Sequence, residues 1–120
     1  MVRALGELVA RSDWGRCFEG LVLPYRFCSP EEYEAWLLEA GLVPLRVELV
    51  PRDMVHRGRA GLEAWIRTTW LPFTQRIPAG EREDFIAQLA STYLELHPPD
   101  GEGLVHVNAV RLEVEAEKPA

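Results

Sequence analysis

A few arginines and a knot of aromatic rings are the residues of this chain best suited to chemistry. The stretch WIRTTWLPF, running from Trp65 to Phe73, sets Trp65, Trp70 and Phe73 around Arg67, Thr68 and Thr69. A guanidinium is a planar fork that can donate two parallel hydrogen bonds to a carboxylate. If the ligand is a small polycarboxylic acid, Arg67 and Arg111 are therefore the residues to hold it. Each candidate also has a plainer role. Trp65 recurs with Leu62, Ile66 and Thr69 at helical spacing, which is an ordinary core face, whereas Trp70 falls off the centre of that stripe. Arg111 precedes Glu113 and Glu115 on one strand face, with Arg46 and Glu48 on another predicted strand, the pattern of a cross-strand ion pair. Tyr25, in LPYRF, reads as a satisfied, half-buried tyrosine before it reads as a catalytic one. WIRTTWLPF can thus be core, a pocket wall, or half of a pocket completed by another chain.

Other chemistries find little support. His56, His97 and His106 are too far apart for a metal motif, and neither Cys17 nor Cys28 has a neighbour at ligand spacing. Ser12, Ser29 and Ser91 lack an elbow or a paired histidine. The carboxylates Glu31, Glu32, Glu81, Glu83 and Asp84 fall in predicted first turns of helices, where the helix dipole favours negative charge.

Totals narrow the classes further. The chain has 120 residues, 48% of them apolar, which suits one domain with one core. Its net charge of −6 and its scattered basic residues argue against nucleic acid and anionic membrane as partners. Apolar runs are far shorter than the ~20 residues needed to span a bilayer, and the opening MVRALGELVARSDW lacks a signal-peptide core, so a cytoplasmic protein with reduced thiols is expected.

The elements that must position these residues are legible from periodicity and punctuation. Val2, Leu5, Leu8 and Val9 predict an opening helix, with a further short turn from Ser12. Ser29, Pro30 and Glu32 form an N-cap, N1 and capping-box set, and Gly41 stands where a helix terminates after Ala40. Tyr33, Trp36, Leu37 and Ala40 share one face of that helix. Val43, Leu45, Val47 and Leu49 alternate as a strand that Pro51 is expected to stop. Leu62, Trp65, Ile66 and Thr69 predict a helix ended or turned by Pro72. Pro78 opens another, with Phe85, Ile86, Leu89, Tyr93 and Leu96 on its buried stripe. The last strand shifts phase from Val105, Val107 and Ala109 to Val110, Leu112 and Val114, predicting a bulge near Ala109. The class is α+β, about four helices with two long antiparallel strands. Two strands separated by some fifty residues leave open edges that invite another strand.

Three stretches in order, SPEEYEAWLLEAGL, EAWIRTTWLPF and HPPDGEGLVHVNAVRLEVEAEK, resemble the C-terminal part of a class I S-adenosylmethionine-dependent methyltransferase of the trans-aconitate methyltransferase-like branch. The resemblance covers residues 18–118. It implies the C-terminal half of a Rossmann-like fold, with a last strand that sits between two neighbours, and a helical segment that covers the substrate mouth. There Trp65, Arg67, Thr68, Trp70 and Arg111 would contact substrate, and the loop of Tyr25 would approach. Thr69-Trp70 departs from the Thr-Gly pair common in that branch.

What the resemblance places in the N-terminal half has no counterpart here. The cofactor's Gly-rich turn follows the first strand of a doubly wound half, whereas Gly101 and Gly103 follow a helix, and Gly58 and Gly61 lie in a helix entry. The expectation is a substrate-side lid that binds no cofactor alone, has no catalytic residues of its own, and needs either a second copy or a separate S-adenosylmethionine-binding chain. The alternative is a small homodimeric interaction module.

Overall fold

The computed structural model describes residues 1–23 and 25–120; Pro24, in the LPYRF loop, lies outside them. The chain is α+β. Helices α1 (Val2–Arg11), α2 (Pro30–Glu39), α3 (Gly58–Thr69), the single-turn α4 (Leu71–Thr74) and α5 (Arg82–Leu96) accompany two long strands, β1 (Val43–Arg57) and β2 (Leu104–Glu117). The strands form a two-stranded antiparallel sheet. Short 3-10 turns occupy Asp13–Phe18 and Ala79–Glu81.

Two compact units divide these residues: Met1–Pro24 with Met54–Val107, and Tyr25–Asp53 with Asn108–Ala120. The first unit holds the core. In it α5 packs against α1, α3 and α4. Its stripe of Phe85, Ile86, Leu89, Ala90 and Tyr93 meets Leu5 and Leu8 of α1, Leu62 and Ile66 of α3, and Val105 and Val107 of β2. Full burial of each such aliphatic side chain is worth ~1.5–3 kcal/mol, which is what orders these helices. Trp14 packs edge-on against Phe85 at 5.2 Å and Phe18 stacks on the same ring at 5.8 Å. Two polar side chains drawn into this core, those of Thr92 and Tyr93, are satisfied. Thr92 donates to the Gln88 carbonyl and accepts from Arg11, and the Tyr93 hydroxyl donates to the His106 carbonyl. Asp100 shapes the entry to β2, accepting from the amides of Glu102 and Leu104 and pairing with the His106 ring at 2.6 Å.

The second unit shows its local code clearly. Ser29 Oγ accepts from the Glu32 amide at 3.1 Å, with Pro30 in the first turn. At the other end Gly41 has φ +78°, its amide donates to the Leu38 carbonyl, and the Leu42 amide reaches back to the Leu37 carbonyl, a Schellman close. Arg26 lies over the Trp36 ring at 5.1 Å. Every fully buried hydrophobic side chain among the described residues belongs to the first unit; α2 has none.

One expectation needs correcting. Pro51 does not stop β1, which continues to Arg57. A strand with a single neighbour has one side of its backbone free, so a proline whose missing N–H falls on that side interrupts no ladder bond. In β2 the alternation of burial breaks where Val110 and Arg111 are both exposed, next to the expected phase change.

Candidate functional site

α3 and α4 carry the aromatic row, all within the first unit. Leu62 and Ile66 take the buried face of α3, so Trp65, one position before Ile66, stands at the margin of the core. α3 ends at Thr69 because Pro72 cannot continue its hydrogen bonding; Trp70 becomes the hinge and Pro72 opens α4. The Trp70 ring then lies 6.2 Å from Trp65 and 4.6 Å from Phe73. Trp65 and Trp70 are partly buried against the core, and Phe73 is within it.

His56, near the end of β1, extends this row, its ring 5.2 Å from that of Trp65. Its Nε2 is shielded from solvent and has no hydrogen-bond partner among the described residues. Burial pushes the imidazole below its ordinary 6.5, so it is neutral near pH 7. Sequence spacing considered His56 only as a metal ligand; its position on β1 nine residues before Trp65 gave no warning of the stacking.

Arg67 projects from the exposed side of α3 and makes two hydrogen bonds of 2.8 Å to Glu83. The carboxylate raises the guanidinium further, and the guanidinium holds the Glu83 carboxyl below its ordinary value. The fork expected to grip a carboxylate is thus filled by one from this chain. Thr68 is exposed, and its hydroxyl donates to the Ala64 carbonyl of the preceding turn. The aromatic row brings Trp65 and Trp70 together, while Arg67 and Thr68 face solvent beside it.

Arg111 and Tyr25 belong to the second unit. Arg111 bonds Glu113, which also accepts from Arg46 and Arg52; Arg46 reaches Glu115 and Glu48 as well. Arg111 foremost, then Arg46 and Arg52, hold the Glu113 carboxyl down to about 2. Three guanidinium groups therefore converge on one internal carboxylate. Tyr25 is half exposed, its ring 6.3 Å from Phe27.

Among the described residues no group of three His, Cys, Asp or Glu could hold a metal, and no helix is long and apolar enough to cross a membrane. Cys17 and Cys28 are free thiols. The strand-to-helix turn where β1 enters α3 is the place to test for an S-adenosylmethionine cradle, since Gly58 has φ +64° there. A Cβ at Gly61 would lie 3.4 Å from His56, and one at Gly58 3.8 Å from the Gly103 carbonyl. Both are ordinary van der Waals separations.

No family model matches the chain. It is similar to the trans-aconitate 2-methyltransferase of Methylobacterium nodulans, with 33% identity over 90 residues that cover 72% of this chain. This is the methyltransferase relation that the three sequence stretches anticipated. The chain matches only 34% of that enzyme's length.

Proposed function

We propose that the chain is the substrate-side, lid-bearing portion of an S-adenosylmethionine-dependent methyltransferase, and that the cofactor is held by a different segment. The observation that carries this reading is the match to about a third of a trans-aconitate 2-methyltransferase. In this reading the row of Trp65, Trp70 and Phe73 is the wall that keeps water from the substrate, and Arg67 and Thr68 stand at its rim to orient a small carboxylic acid. Arg111 and Tyr25 are the candidate substrate contacts of the second unit. Arg67 exchanges Glu83 for a substrate carboxylate, since a guanidinium released from one fork accepts another of the same geometry.

The test is calorimetric titration of S-adenosylmethionine into the purified chain, with a methyl-transfer assay on trans-aconitate using the same sample. No heat and no methylated product are expected. Micromolar binding or turnover by the chain alone would overturn the reading.

A further inference from the structure

His56 is the titratable member of the aromatic row, and its hydrogen bonding is incomplete. Its ring lies 5.2 Å from that of Trp65, which meets Trp70 at 6.2 Å, and Trp70 meets Phe73 at 4.6 Å. All four belong to the first unit. The Nε2 atom is out of reach of solvent and has no hydrogen-bond partner among the described residues. A neutral imidazole tolerates this, because one of its nitrogens carries a bare lone pair. An imidazolium does not, since both nitrogens then donate and Nε2 becomes a charged, buried N–H with no acceptor. The Trp65 face attracts a cation, but that attraction is small beside the cost of burying an unpaired charge. The charged groups of the surrounding elements offer no relief. Arg57, next on β1, is exposed, and α4 carries no charged residue. On α3, Arg59 is bonded to Glu63 and to Ser91 of α5, and Arg67 to Glu83 of α5. On β2, His106 pairs with Asp100. None of these bonds the His56 Nε2, and burial is what depresses the proton affinity of the ring.

We propose that His56 is an acid-operated latch on the aromatic row: as a neutral ring it closes against Trp65, and on taking a proton it swings into solvent and leaves Trp65 uncovered on that side. The residue is partly exposed near the end of β1, so rotation about its side-chain bonds brings the ring to water without moving the strand. The opening is local, because Leu62 and Ile66 hold α3 to the core while Trp65 stands at its margin. The direction follows from linkage. A histidine whose folded pKa lies below the ordinary 6.5 favours the closed row fully above that value, and the preference is lost as pH falls through the folded one. This goes beyond the functional reading, since the row opens in acid whether or not a substrate lies behind it.

The test is an NMR titration of the purified chain from about pH 8 to about pH 5, which follows the His56 ring shifts and the Overhauser contacts between aromatic rings. It needs neither substrate nor cofactor, so its outcome is separate from that of the methyl-transfer assay. His56 should titrate with a midpoint below 6.5, and its contact with Trp65 should vanish with the same midpoint. The core contact between Trp14 and Phe85 should persist throughout. His56→Phe, which keeps a ring and takes no proton, should hold its contact with Trp65 across the whole range. A charged His56 that stays against Trp65, or a midpoint at or above 6.5, overturns the proposal. Loss of the contact between Trp14 and Phe85 in the same step also overturns it, since the transition is then unfolding of the core. So does the same acid opening in His56→Phe, which assigns the proton to another group. Should His56→Phe not fold, the two midpoints of the native chain decide alone.

Discussion

Arg67 of α3 and Glu83 of α5 meet through two parallel hydrogen bonds of 2.8 Å, Nε to Oε1 and Nη2 to Oε2. The pair is exposed, so its consequences lie in pH and salt response more than in gross stability. Glu83 is an acid whose folded pKa is depressed, so its contribution is present above the unfolded value and lost as pH falls through the folded one. The difference in Tm between the native chain and Glu83→Gln should therefore be seen at pH 7 and low salt, and should fade below pH 4.5. A difference unchanged by acid would show that the pair contributes nothing through charge.

Glu113 extends the same logic to three arginines. With its carboxyl held down to about 2, it remains ionised through most of the acid range. Its share of stability is complete above the ordinary 4.5 and is lost only as pH falls toward 2. A carboxyl-carbon NMR titration should find its midpoint well below those of the other glutamates. Substitution of Arg111, the foremost contributor, by Gln should move that midpoint upward. An ordinary midpoint in the native chain would mean that the cluster does not hold in solution.

Phe85 and Leu45 mark the contrast between the two units. Phe85 is fully buried between Trp14 and Phe18, so Phe85→Ala should cost ~3–5 kcal/mol through lost burial and a cavity. Leu45→Ala, at a side chain already largely in water, should lie within about 0.5 kcal/mol of the native chain. Urea denaturation of both variants measures this, and equal losses would refute the assignment of the core to the first unit.

The caps of α2 give a local test. Ser29→Ala removes the acceptor for the Glu32 amide, and Gly41→Ala forces a side chain into φ +78°; each should cost α2 about 1 kcal/mol. Amide exchange within α2 should accelerate about fivefold in either variant. Because α2 has no fully buried side chain, amides of α5 should be unaffected, and uniform acceleration across both helices would contradict this independence.

What could be read from the sequence alone was whatever a few neighbouring residues decide. Ser29, Pro30, Glu32 and Gly41 set the bounds of α2 because caps and left-handed backbone act within four residues. The stripe of Phe85, Ile86, Leu89 and Tyr93 identified the buried side of α5 through its period. The candidate residues themselves, Trp65 with Trp70 and Arg67 with Arg111, were also legible as types suited to a ligand. The ion pairing of Arg111 and Arg46 with the strand glutamates was legible as well, but the partners of Arg67 and Trp65 were not. Only the folded chain brings Glu83 to Arg67 across 16 residues, adds Arg52 to the cluster on Glu113, and lays His56 against Trp65. It also lets β1 pass through Pro51, since the proline rule depends on which strand edge has a neighbour. The alternation of Val43, Leu45, Val47 and Leu49 announced an apolar face, but alternation is a property of the strand, whereas cover comes from whatever packs on it. Tertiary structure decided that Val105 and Val107 are buried while Leu45 and Val110 are open, because burial is settled by distant chain and not by the residue's own preference.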